Sequence, residues 1–64
     1  MIEVMIERWV NPDSATDYRW SVWRDGQRLA MGNQPYSNQD DCETAGRAFC
    51  LQELGQEPDK VIRL

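Results

Sequence analysis

The stretch Tyr18-Arg19-Trp20-Ser21-Val22-Trp23-Arg24-Asp25-Gly26-Gln27-Arg28-Leu29-Ala30-Met31 decides the fold of this 64-residue chain, because it encodes a β-hairpin with a defined register. Asp25-Gly26 between alternating apolar residues favours a type I′ turn, in which both central residues have positive φ. A two-residue loop pairs Arg24 with Gln27. Uninterrupted pairing then sets Trp23 opposite Arg28, Val22 opposite Leu29, Ser21 opposite Ala30 and Trp20 opposite Met31. The stretch thus predicts a regular hairpin.

Two more segments have the character of strands. Residues 1–9 alternate, with Ile2, Val4 and Ile6 on one side and Glu3, Met5, Glu7 and Trp9 on the other, and the Pro12-containing stretch 11–17 reverses the chain before the hairpin. Residues 60–64 carry β-branched Val61 and Ile62 at their centre. We predict strands over about residues 1–9, 18–24, 27–32 and 60–64.

A helix is predicted over about residues 38–54. Ser37 followed by Asp40 is similar to a capping box, and Gly55 is placed to end the helix in a left-handed cap. Gly46 suits a helix that approaches a bulky side chain, for which Trp20 and Met31 are the candidates. The helical period brings one stripe to the sheet: Cys42, Ala45, Gly46, Phe49, Cys50 and Leu54.

These elements predict a single α+β domain over residues 1–64, with the order βββαβ. A right-handed crossover through the helix places the last strand beside and parallel to the first, so the strand order is 3-2-1-4 in a mainly antiparallel sheet. One helix covers one face of the sheet. The predicted covered face contains Ile2, Val4, Ile6, Tyr18, Trp20, Val22, Leu29 and Met31.

The opposite face of the sheet has no helix to cover it. It is predicted to carry Glu3, Met5, Glu7, Trp9, Arg19, Ser21, Trp23, Arg28 and Ala30. In one interpretation the face is merely solvated: the glutamates pair with the arginines across strands, and Trp23 stacks under Arg28. In the other, an apolar patch rimmed by arginine binds a protein partner or a second copy. The candidate interaction residues are Met5, Trp9, Arg19, Trp23, Arg28 and Ala30.

The charge balance bears on the class of partner. Eleven Asp and Glu against seven Lys and Arg give a net charge of −4, which repels phosphate backbones. Nucleic-acid binding remains an alternative, with single-stranded bases stacked on Trp9 and Trp23 and phosphates bound by arginine. The composition favours a protein partner over nucleic acid.

No residues suited to catalysis or cofactor binding stand out. The chain has no histidine to activate a serine, and two cysteines alone do not form a structural zinc site. Cys42 and Cys50 would lie about 12 Å apart along the helix, too far for a disulfide, and are predicted to be core residues. We therefore predict no enzymatic activity, no cofactor and no metal. With no apolar run of ~20 residues and no signal peptide, a cytoplasmic location and no membrane contact are expected.

Residues 18–23, 25–30, 36–38 and 41–45 together resemble the YegP-type family of small bacterial domains. That family pairs an aromatic strand with an N-G or D-G turn and begins its helix with a Y-x-S/T-x-x-x-A pattern; here a cysteine replaces the usual small residue early in the helix. The resemblance covers about half of the chain and implies a fold without an activity.

The hairpin is also similar to the arm-binding domain of phage-type tyrosine integrases, whose Y-R-x-x-V-x-x-D-G-x-R pattern matches residues 18–28. That resemblance implies DNA binding, although those domains are basic and this chain is acidic. A third alternative rests on size and charge alone: a small acidic phage-type inhibitor of a nucleic-acid-handling complex. These similarities imply a bacterial or phage origin.

Overall fold

The structure, a computed structural model, describes all residues from 1 to 64. Its elements are β1 (Ile2–Val10), β2 (Thr16–Arg24), β3 (Gln27–Met31), helix α1 (Gln39–Phe49) and β4 (Lys60–Arg63). The four strands form one sheet in the order β3-β2-β1-β4. β4 runs parallel to β1, whereas the other neighbouring strands are antiparallel. The predicted α+β fold and strand order are confirmed.

The turn of the hairpin forms as its Asp-Gly sequence requires. Asp25 has a φ of 49° and Gly26 a φ of 85°, so both central residues lie in the left-handed region. Trp23 pairs with Arg28 as predicted. The turn chemistry and the first pairs of the hairpin are thus correct.

Beyond Trp23 the predicted register is wrong. A β-bulge shifts the pairing by one residue, so that Val22 pairs with Ala30 and Ser21 pairs with Met31. Leu29 is the extra residue on β3, since an added residue on one strand is what defines a bulge.

The bulge exchanges the faces predicted for the end of β3. Paired residues lie on the same face of a sheet, so Ala30 shares the covered face with buried Val22, and Met31 shares the open face with Ser21. Leu29 is 42% exposed and Met31 is 51% exposed. The prediction that Leu29 and Met31 are core residues, and that Ala30 lies on the open face, is therefore wrong.

The physical reason for the shift is the space beside Trp20. In the bulged register the Gly32 N–H donates to the Trp20 carbonyl at 2.9 Å, in the place that uninterrupted pairing gives to Met31. A Cβ on Gly32 would lie 2.6 Å from the Trp20 Nε1. Only glycine fits opposite this indole. The alternation of apolar and polar residues along the sequence does not reveal this requirement.

The core lies between the covered face and α1. Its fully buried members are Ile2, Val4, Ile6, Val22, Cys42 and Cys50. Around them pack Tyr18, Trp20, Tyr36, Phe49, Leu54 and Val61. A Cβ on Gly46 would meet Val4 Cγ1 at 2.9 Å and Trp20 Cβ at 3.4 Å, which confirms a close approach of the helix to Trp20.

The predicted end of the helix at Leu54 with a left-handed Gly55 cap is confirmed, whereas its N-cap and the type of its last turn differ from the prediction. Asn38, not Ser37, is the N-cap, and its side-chain oxygen accepts from the Asp41 N–H at 2.8 Å. The α-helix ends at Phe49 and continues as a π-helical turn over Cys50–Leu54, which Gly55 closes in the left-handed conformation with φ 71°. Cys42 and Cys50 are free, and burial raises the pKa of both thiols. Neither α1 nor the π-helical turn has the length and apolar character of a membrane-spanning helix.

Candidate functional site

The open face, the side of the sheet away from α1, is organised in rows that cross the strands. The register places uncharged side chains from all four strands in one row. This central row consists of Met31, Ser21, Met5 and Ile62. Met5 and Ile62 are half-buried and Met31 is exposed. A mostly apolar band therefore runs across the sheet.

Charged residues flank the central row on both sides. On one side the first charged row consists of Arg28, Trp23, Glu3 and Lys60. On the other side the second charged row pairs Arg19 with Glu7, and Asp17 and Trp9 follow beyond it. An apolar centre with a polar rim is the usual arrangement of protein interfaces.

The two tryptophans of the open face differ in their surroundings. Trp23 is half-buried, and its Nε1 donates to the Ser21 Oγ at 2.9 Å, so Ser21 is only 3% exposed. Trp9 is an exposed ring at the end of β1. The guanidinium carbon of Arg19 lies 5.3 Å from the centre of the Trp9 ring. The cation–π contact thus joins Arg19 to Trp9, rather than Arg28 to Trp23.

The charges of the two charged rows do not neutralise one another within the molecule. The ion pairs of the chain involve the N-terminus, Arg47 and Arg63. None involves Glu3, Glu7, Arg19 or Arg28, so the cross-strand ion pairs expected for a merely solvated face are missing. Two acidic and two basic side chains are available to a partner.

Arg19 is the most unusual of these side chains. Its Nε is buried and has no hydrogen-bond partner. It lines a depression of about 150 Å³ that Glu7, Trp9, Ser21, Arg28 and Met31 also border. Its terminal nitrogens are not buried and form no ion pair, so an incoming carboxylate or carbonyl oxygen there would gain a charge-assisted hydrogen bond.

The structure brings together most of the residues predicted for this site. Met5, Trp9, Arg19, Trp23 and Arg28 all lie on the open face. Ala30 lies on the covered face because of the bulge. Sequence reasoning missed Met31 and Ile62. Ile62 could have been assigned to the open face by pairing β4 in register with β1. Met31 could not, because its place on this face depends on the bulge.

The other depressions of the molecule lie at the edge of the core and at the start of α1, beside Tyr18 and Arg63. No group of three or more His, Cys, Asp or Glu side chains is placed to hold a metal ion. A depression of about 300 Å³ between α1 and the segment after β3 is lined by Trp20, Tyr36 and Phe49. The Trp20 and Phe49 rings already pack on each other, with centroids 5.2 Å apart. This depression is the edge of the core.

No protein-family model, curated protein or solved structure matches the chain. The similarities to YegP-type domains and to integrase arm-binding domains stay predictions.

Proposed function

We propose that this chain is a non-catalytic protein-binding module whose interface is the open face of its sheet. The observation that carries the proposal is the central row of uncharged side chains between two rows of charges that form no ion pairs within the chain. Apolar contact at the centre and unsatisfied polar groups at the rim are the features that a protein partner can use.

Arg19 supplies the strongest single contact point. Trp9 supports its guanidinium, and its buried Nε lacks an acceptor. Arginine and tryptophan are the residue types most enriched among the energetic centres of interfaces. A partner oxygen that accepts from the terminal nitrogens of Arg19 would add a charge-assisted hydrogen bond.

The charges of the open face favour a protein over a nucleic acid. Glu3 and Glu7 lie on the same face as Arg19 and Arg28, so a phosphate backbone laid across β1 would meet two carboxylates. The net charge of −4 adds a general repulsion. A protein surface of mixed charge meets neither obstacle.

Site-specific photo-cross-linking in the native cells tests the proposal. Met31 on the central row and Leu51 in the π-helical turn are both 51% exposed, which makes them matched positions for p-benzoylphenylalanine. We expect one protein adduct of defined mass from position 31, its loss in an Arg19→Ala background, and no such adduct from position 51. Equal labelling at both positions, or an adduct from position 31 that nuclease digests, contradicts the proposal.

A further inference from the structure

We infer that the occupant of the open face is a second copy of this chain, packed face to face about a twofold axis. The inference rests on the proposed function, because it names the partner of that same surface. It is drawn from the distribution of charge, from the register of the rows and from the unpaired Arg19.

The open face is electrically neutral, although the chain is acidic. It carries Glu3, Glu7 and Asp17 together with Arg19, Arg28 and Lys60. All of the net charge of −4 therefore lies on the rest of the molecule. Two copies repel each other wherever those other surfaces meet. The open face is the surface on which a second copy meets no net repulsion.

Each row of the open face is complementary to the same row of a second copy when the two copies are related by one particular twofold axis. A twofold axis that runs along the strands, between β1 and β2, places each β2 residue opposite the β1 residue of the same row in the second copy. Arg19 then faces Glu7 of the second copy, and Glu7 faces its Arg19. In the central row, Met31 faces Ile62, so the apolar band of one copy covers that of the other.

The same symmetry gives the Arg19 guanidinium the ion-pair partner that it lacks within one copy. Within one copy, Glu7 and Arg19 are cross-strand neighbours but form no ion pair. Across the axis, the carboxylate of Glu7 approaches the guanidinium from above the sheet. Arg28 and Lys60 fall opposite each other at the outer ends of their row, where solvent screens their repulsion.

The size of the face is that of a weak, reversible interface. Four strands at about 4.8 Å spacing and about seven residues at about 3.4 Å give a patch of roughly 19 by 24 Å. The area of such a patch is below the ~800 Å² that each partner buries in a standard stable interface. We therefore expect a reversible dimer with a dissociation constant on the order of 100 μM.

Sedimentation equilibrium between about 10 μM and about 1 mM tests this inference, since the range brackets the expected dissociation constant. The wild type should change from monomer to dimer across it. Arg19→Glu sets carboxylate against carboxylate, and Glu7→Arg sets guanidinium against guanidinium, so each should weaken association at least ~10-fold. An equimolar mixture of the two variants restores opposite charges at both contacts and should recover the dimer, as should the double variant.

Two controls match the changes in charge. Glu57→Arg lies in an exposed loop and changes the net charge as Glu7→Arg does, whereas Arg24→Glu matches Arg19→Glu at the exposed end of β2. Both should dimerise like the wild type. Circular dichroism verifies that every variant is folded.

A wild type that stays monomeric at about 1 mM overturns the inference, because even a weak dimer forms at that concentration. Failure of the mixed variants to associate overturns it as well. If the cross-linker at Met31 then captures a different protein, the proposed function stands without the dimer. If it captures none, both fail.

Discussion

Trp20 shows how a single side chain determines the backbone around it. Its indole lies against Gly32 of the segment after β3 and near Gly46 of α1. A Cβ at Gly32 would come within 3.0 Å of three atoms of the indole, whereas one at Gly46 would approach Val4 most closely. The two glycines therefore make room for the largest side chain at the edge of the core.

We expect Gly32→Ala to lower the free energy of unfolding by about 1–3 kcal/mol, because the methyl group would overlap a ring that cannot move away cheaply. Gly46→Ala should cost less, since alanine gains about 1 kcal/mol over glycine inside a helix. Urea unfolding followed by tryptophan fluorescence measures both. A loss at Gly32 well below about 1 kcal/mol would show that the indole has room to move.

The β3 strand shows where sequence reasoning succeeds and where it fails. The Asp25-Gly26 turn was predictable because its requirement, positive φ at two positions, is local to the residues that satisfy it. The bulge at Leu29 was not, because it follows from the space beside Trp20, which is distant in sequence. The open face was predictable because the chain has one helix, which covers only one face of the sheet. Its central row was not, because Met31 and Ile62 join that row through the bulge and through the pairing of β4 with β1.

A substitution at Leu29 tests the bulged register. Uninterrupted pairing would bury Leu29 beside Val22, and removal of a buried leucine side chain costs about 2–5 kcal/mol. In the bulged register Leu29 is exposed, and we expect Leu29→Ala to cost less than about 1 kcal/mol. Ile6→Ala, a fully buried position, is the control, and chemical denaturation compares the two. A loss at Leu29 as large as that at Ile6 would refute the bulge.

At the scale of the whole molecule, side-chain contacts hold the edge strand β4 to the helix. Glu43 of α1 accepts from Arg47 at 2.8 Å and from Arg63 of β4 at 2.8 and 3.1 Å. Arg63 also donates to Asp40 at 2.9 Å. The strand order was predictable from the crossover rule, but this cluster was not, because it joins residues that only the finished fold brings together.

The cluster should make stability depend on pH. Hydrogen bonds from Arg47 and Arg63 hold the pKa of Glu43 below its ordinary value. A carboxylate whose pKa is lower in the folded state stabilises the fold above its unfolded pKa, and this contribution is lost as the pH falls through the folded pKa. The stabilisation is therefore present at neutral pH and disappears in acid.

We expect the wild type to exceed Glu43→Gln in stability by up to about 1 kcal/mol near pH 7, a modest value because solvent reaches the Glu43 and Arg63 side chains. The difference should shrink below about pH 4.5, as the wild-type carboxylate takes up its proton. Thermal unfolding of both proteins from about pH 7 to about pH 3 measures it, since that range spans the titration of carboxylates. Glu57→Gln, at an exposed residue without an ion pair, controls for the loss of one carboxylate. A difference that stayed constant with pH would mean that Glu43 acts through its shape rather than its charge.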